Sequence, residues 1–256
     1  MSILYITSFS GHLYNLTGKR LIETFKKTKT EGDLFCYVEG MDTSLINGKN
    51  ITVEDMSDNR FYRRWFEANL DIIPEKFGGK ATKESSFQAF KTPNYRTAQW
   101  TKKIATMKYA MENYTDQYDY FMWVDCDCFF TNTFTEQDLV KALQGKSFGY
   151  HLGRDRTKKR MGVETGLLGF KNDKYSKKAL SKWIKKYNGA GFKQHEWWND
   201  AHMFFYVLDA NPKLKEKGID LVTDYGDTGR SKSHVIMRGD LGNFFDHQKG
   251  YHKRNL

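Results

Sequence analysis

The sequence predicts an α/β fold: one domain with a mostly parallel central sheet flanked by helices. Two observations predict it. The chain opens on a strand, a helix and a second strand at the spacing of a βαβ unit. Further on, Tyr118 to Asn132 (YDYFMWVDCDCFFTN) is a run of aromatic and β-branched residues with apolar positions on both faces. A βαβ connection forces parallel pairing, and a strand that is apolar on both sides belongs in a sheet covered on both faces. At 256 residues the chain can bury an ample core, and it has no repeat, low-complexity tract or Pro/Ser-rich linker to divide it.

Taken in order, Ile3 to Thr7 reads as a buried strand, Ser8 to Gly18 as a polar loop, and Lys19 to Thr28 as a helix with Leu21, Ile22 and Phe25 inward. Asp33 to Val38 is the second strand, ending at Glu39-Gly40. Ligands of parallel sheets sit beyond the carboxyl ends of the strands, so Thr7, Ser8, Phe9 and Glu39 are expected to line a nucleotide site. Glu39 there either accepts a ribose hydroxyl or is a plain surface acid. Neither a G-x-G-x-x-G nor a P-loop occurs, which weakens dinucleotide and ATPase readings. Residues 52–95 are less periodic. Within them Arg60 to Leu70 reads as a helix whose aromatics either pack inward or form a binding surface with its arginines, and Gly78 to Pro93 as a loop.

Thr97 to Asn113 is a helix with Trp100, Ile104, Met107 and Met111 on its core face. Lys102 and Lys103 flank that face, either as surface lysines or with one reaching a phosphate. After the central strand come a helix at Thr135 to Gln144 closed by Gly145, a strand at Phe148 to Leu152, a basic loop at Arg154 to Arg160, and a glycine-bearing strand, Glu164 to Phe170. Asp173 to Lys186 is helical. His195-Glu196-Trp197-Trp198-Asn199-Asp200 leads into the apolar helix Ala201 to Leu208, with Asp200 either capping it or serving as a pocket acid beside the paired tryptophans. A short strand is expected at His234 to Met237, before Asp246 to Arg254.

The central strand breaks at Asp125-Cys126-Asp127-Cys128. With a period of two, Asp125 and Asp127 share one face and the two cysteines the other. Paired carboxylates at a buried strand end repel and lose hydration, which a divalent cation with oxygen ligands would offset. The bland alternative is an acidic turn solvated at a strand end. The alternation argues against a soft-metal Cys-x-Cys site, and no further cysteine is near. The three cysteines, Cys36, Cys126 and Cys128, make no disulfide framework and are expected as reduced thiols in the cytoplasm. No apolar run has the length of a membrane span, and the N-terminus has no signal-peptide pattern. The net charge of +10 favours anionic partners, and the loop at 154–160 concentrates it, whereas most other lysines solvate helix faces.

On these residues the chain resembles the GT-A fold glycosyltransferases, a Rossmann-like class, and within it the glycogenin-like and galactosyltransferase-like retaining families. The resemblance rests on the strand ending in Asp125-x-Asp127 after a Trp- and Lys-bearing helix, the segments Thr165 to Phe170 and Trp197 to Asp200, and the terminal His247-x-x-Gly250-x-x-Lys253. It implies a single GT-A domain over 1–256, with a nucleotide-binding half at 1–95 and a metal, donor-sugar and acceptor half at 96–256. It further implies Asp125, Asp127 and His247 as ligands of manganese or magnesium. A nucleotide diphosphate sugar, with UDP favoured, would be the donor, bound also by Lys103, Gly250 and Lys253. Asp200 and Glu164 are the candidate catalytic acids. The chain departs from the family pattern at Glu164-Thr165-Gly166, at Asn199-Asp200 and at Arg254-Asn255 after the terminal lysine.

It is also similar to compact virus-encoded sugar transferases, which would place it in the host cytoplasm. The acceptor options are a modified base in DNA, an anionic cell-surface or capsid glycan, or a lipid-linked sugar, which the absence of an apolar span and an amphipathic tail disfavours. Two readings of other classes compete. A non-catalytic nucleic-acid-binding protein would use the aspartates structurally. A metal-dependent nucleotidyltransferase or nuclease would use the acidic pair but has no role for His-x-x-Gly-x-x-Lys.

Overall fold

A computed structural model describes residues 2–72, 97–152, 162–189, 191–223 and 235–247. The strands of its main sheet are β1 (Ile3–Ser10), β2 (Asp33–Glu39), β3 (Ile51–Asp55), β4 (Tyr120–Val124), β6 (Phe148–Leu152), β7 (Val163–Lys171) and β8 (Gly218–Asp220). Two further strands, β5 (Cys128–Phe130) and β9 (Phe245–His247), pair only with each other. The seven-stranded sheet has the order β3-β2-β1-β4-β7-β6-β8. All neighbours are parallel except at β7, which runs against both β4 and β6. The expected α/β architecture, a mostly parallel sheet flanked by helices, is therefore what the chain adopts. Because β1 lies between β2 and β4, the two halves of the chain share one sheet.

Alternation sorts the core into two layers. Leu4, Ile6, Phe35, Phe121, Trp123, Leu168 and Phe170 face one side. They pack beneath helices α2 (Arg60–Glu67), α3 (Thr97–Asn113), α5 (Lys174–Tyr187) and α6 (Asp200–Asp209). Ile3, Tyr5, Leu34, Cys36, Met122, Val124 and Leu167 face the other, covered by α1 (Lys19–Lys27), α4 (Glu136–Leu143) and the β5–β9 pair. Helix ends are set locally. Thr135 and Asp138 form a reciprocal capping box at the start of α4, and Asp173 accepts from two backbone N–H groups at the start of α5. In α2 the aromatics turn inward, with Tyr62 and Trp65 buried, so the packing alternative holds there.

Several expectations change. Strand β1 continues to Ser10, and the expected loop at Ser8 to Gly18 becomes a helical turn, Gly11–Leu13, and a π-helical turn, Tyr14–Gly18. The side chain of Ser10 caps that turn, and the hydroxyl of Thr17 bonds back to the carbonyl of Leu13. Strand β3 lay in a stretch without clear periodicity. As an edge strand it is only half covered, so it lacks the apolar signature of its neighbours. The expected strand at His234 to Met237 is instead a 3₁₀ turn over Val235–Arg238, and His234 lies outside the described residues. Gly239 follows the turn against the carbonyl of Leu221, where a Cβ would come within 1.9 Å. The extended segment comes later, as β9. The expected loops at Gly78 to Pro93 and Arg154 to Arg160 lie outside the described residues. No described helix is long and apolar enough to cross a membrane.

Candidate functional site

Beyond the carboxyl end of β4 the chain does not continue its alternation. Asp125 donates its N–H to the carbonyl of Gly166 on β7, and Cys128 donates to the carbonyl of Asp125. Residues 125–128 thus form a tight turn, which sends the two aspartates in different directions. This corrects the expected arrangement of both carboxylates on one face and both cysteines on the other, since period two applies only while the strand lasts.

Asp125 turns toward α3. Its Oδ1 accepts from Trp123 Nε1 at 2.7 Å and from Lys103 Nζ at 2.9 Å. The same ammonium lies 2.5 Å from Asp200 Oδ2 and donates to the carbonyl of Thr165 at 3.0 Å. Thr165 closes the cluster by donating its hydroxyl to Asp200 at 2.6 Å. The side chains of Lys103 and Asp200 are each 8% exposed. Burial pulls the Lys103 pKa down, but the charges of Asp125 and Asp200 and their hydrogen bonds outweigh it, and the net shift is upward. Lys103 is therefore neither a surface lysine nor free to swing. Position 103 faces the sheet, where only a charge partner makes an ammonium tolerable. Asp200 is a buried acid paired with Lys103, not the cap: the cap of α6 is Asn199, whose side chain accepts from His202 N–H at 2.8 Å. Trp198 is part of the packing, with its indole N–H donated to the carbonyl of His195 and its ring against Phe192. Trp197 stacks on His202.

Asp127 turns the other way. Its Oδ1 lies 3.2 Å from His247 Nε2, across 120 residues of sequence. The pairing of β5 with β9 brings the imidazole there, with His247 directly opposite Cys128 in the antiparallel register. The ligand atoms of Asp127, Cys128 and His247 all lie within 4.8 Å of one another, and all three residues are buried. Gly166 leaves room for the ring: a Cβ there would come within 3.3 Å of Cε1 and Nε2 of His247. Carboxylate, thiol and imidazole are a coherent donor set for a divalent transition metal. Of the predicted ligands Asp125, Asp127 and His247, the last two meet, and the Oδ1 of Asp125 is held by Lys103 and Trp123. Glu164 sits at the near end of β7, where its carboxylate accepts the N–H of Gly166 at 3.2 Å. Gly250 and Lys253 lie outside the described residues.

A cleft open to solvent lies beyond the carboxyl ends of β1 and β2. Ser8, Ser10, Tyr37, Glu39, Gln99 and Lys102 supply its polar lining, and Phe9, Leu13 and Met56 its apolar part. Glu39 is paired with Lys102. Ser8, Phe9 and Glu39 thus stand where a ligand of the parallel sheet was expected. Thr7 does not. It is fully buried and does not line the cleft, and its hydroxyl has no partner among the described residues. Burial raises the Tyr37 phenol pKa, against the lowering effect of its hydrogen bond with Asn59, and nearby acids add to the rise, so it lines the cleft uncharged. Lys102 and Lys103, adjacent on α3, connect the two regions: one borders the cleft, the other anchors the acids of β4 and α6.

Sequence reasoning missed Cys128 as a neighbour of the imidazole. The register that opposes it to His247 has no local signal. Comparison with models of known protein families finds no match, and comparison with curated proteins finds none either.

Proposed function

We propose that the protein is a metal-dependent glycosyltransferase of the GT-A kind, moving a sugar from a nucleotide diphosphate sugar to an acceptor hydroxyl. The observation that carries this reading is the approach of His247 to Asp127 at the carboxyl end of a parallel sheet, beside the Asp125–Lys103–Asp200 cluster. A cation-binding pair, a fixed ion cluster and an open cleft then lie along one sheet edge, where such folds hold their ligands.

In this reading the cleft takes the nucleoside, with Glu39 and Lys102 as its polar wall. Asp127 and His247 would hold manganese or magnesium, while Asp125, whose Oδ1 is held by Lys103 and Trp123, would fix the Lys103 cluster beside it. Bound there, the cation would neutralise the charge that develops on the leaving diphosphate. The remaining work falls to the chain. Transfer breaks the bond between the sugar carbon and the diphosphate oxygen and forms one from that carbon to the acceptor oxygen. The acceptor's proton goes to a carboxylate or to the departing diphosphate. Asp200 and Glu164 are the carboxylates we assign to this step, one facing the cation-like sugar carbon and one receiving the proton. Lys103 holds Asp200 in place and is a positioning residue. Gly250 and Lys253 are assigned to the diphosphate on the resemblance alone.

The test is a thermal-shift panel of nucleoside diphosphates and nucleotide sugars, each with and without manganese. One base, UDP foremost, is expected to raise Tm only when manganese is present, with its sugar form raising it further. No manganese-dependent shift with any diphosphate would sink the reading.

For the acceptor we propose a polyanion, on the +10 net charge. Modified DNA is the first candidate and an anionic cell-surface or viral glycan the second, reached from the cytoplasm of the cell or of an infected host. Duplex DNA is expected to bind at low salt, with affinity falling steeply as salt rises because counterions are released. Absence of binding at low salt would remove DNA and leave the glycan.

A further inference from the structure

We propose that Cys128 is a ligand of the cation, so that the centre is a carboxylate, thiolate and imidazole site selective for a thiophilic divalent ion such as zinc or cobalt over magnesium. This rests on the reading above for what the cation does, but not for how it is held.

The geometry comes from two independent pieces of backbone. Directly opposed residues of an antiparallel pair project to the same face with their Cβ atoms about 4.5–5.5 Å apart, and Cys128 is directly opposed to His247. The turn at 125–128 then folds the carboxylate of Asp127 back onto the imidazole at 3.2 Å. In a tetrahedral centre with legs of about 2.0–2.3 Å, ligand atoms stand roughly 3.3–3.7 Å apart. The carboxylate and imidazole, at 3.2 Å, stand just short of that separation. The three ligand atoms lie within 4.8 Å of each other, so a modest closure completes three sides of the site. A fourth position remains for an oxygen of the donor. Cys128 Sγ donates to the carbonyl of Gly166 at 3.4 Å, a bond that ligation would replace, while Cys126 lies outside this group, with its Sγ against the hydroxyl of Thr17.

Chemistry then selects the metal. Thiolate and imidazole favour zinc and cobalt, while magnesium takes oxygen ligands in near-octahedral geometry. Binding would release the thiol proton to solvent, which a hard cation gives little reason to do. The burial of Cys128 beside Phe129 and Phe130 alone would suit an inert core thiol. Its place opposite a buried histidine and next to a buried aspartate gives it a second use.

The experiment uses the full chain, stripped of metal and titrated with cobalt(II) alone. A sulfur-to-cobalt charge-transfer band is expected in the near ultraviolet. It should vanish in Cys128→Ser, persist in Cys126→Ser and Cys36→Ser, and be bleached by zinc. Zinc affinity of Cys128→Ser should fall by at least about 10–100-fold, the range that loss of even a partner of a ligand causes. Cobalt binding without the band, or a band that survives Cys128→Ser, overturns the proposal and leaves the transferase reading standing. No cobalt binding at all overturns the proposal, and the manganese-dependent shift with diphosphates then decides the cation's role separately. Should Cys128→Ser fail to fold, the wild-type spectrum with the other two variants still decides: loss of the band in either of them places the thiolate elsewhere.

Discussion

Replacing Lys103 by Met is expected to destabilise the protein by about 3–5 kcal/mol, the cost of leaving a buried ion cluster without one of its partners. The variant keeps the length and most of the volume of the side chain, so packing changes little. What changes is charge: Asp125 and Asp200 lose the ammonium that lies 2.9 and 2.5 Å from their oxygens. Thr165 still donates to Asp200 and Trp123 to Asp125, but a neutral hydrogen bond does not replace a cation between two carboxylates. Adding Asp200→Asn to Lys103→Met should return much of the loss, since only one carboxylate is then left. Urea unfolding of the wild type and these two variants measures this. A loss below about 1 kcal/mol would mean that the cluster behaves as a hydrated surface pair.

The sign of the pH dependence follows from the same cluster. In the wild type the folded pKa of Lys103 is raised, so its contribution is fully present below about pH 10.4, the unfolded value. It is lost only as pH rises through the higher folded value. In Lys103→Met the two facing carboxylates repel, and one is expected to take up a proton more readily folded than unfolded. The folded variant then binds more protons than the unfolded chain, so its deficit should shrink as pH falls toward the carboxylate range. A deficit that grows on acidification would contradict the assignment.

The parts of the fold legible in the chain were those where burial itself writes the pattern. Tyr120–Val124 announces a strand covered on both faces, and the βαβ start announces parallel pairing. The direction of β7 was not legible: Val163–Lys171 has the same apolar content whichever way it runs. The site was half legible for a similar reason. Asp125-x-Asp127 stands out because carboxylates follow a buried strand. The turn that separates them depends on the carbonyl of Gly166, and nothing local to residues 125–128 foretells it. Lys103 was misplaced because α3 is buried around much of its circumference, so a polar residue on it gives no sign of which acids wait opposite. The meeting of His247 with Asp127 came from family resemblance, because a three-residue strand such as Phe245–His247 is too short to show a period.

Asp127→Asn separates the chemistry from the fold. Under the proposed function, turnover of a nucleotide sugar should fall by at least about 10²–10³-fold, the scale at which a fixed partner of developing charge contributes. Stability should change by no more than about 1 kcal/mol. The amide is isosteric and can still meet His247 Nε2, and the backbone of the turn is held by the bonds of Asp125 and Cys128, not by the side chain of Asp127. Asp125→Asn should behave differently, lowering both turnover and stability, because it removes one of two charges facing Lys103. A nucleoside-diphosphate release assay run beside thermal unfolding distinguishes the pair. A chelator should reproduce in the wild type what Asp127→Asn does to turnover, since both remove the cation and leave the Lys103 cluster intact. Near-wild-type turnover by Asp127→Asn would place the reacting diphosphate elsewhere and leave the Asp127–His247 contact as a structural clasp between β5 and β9.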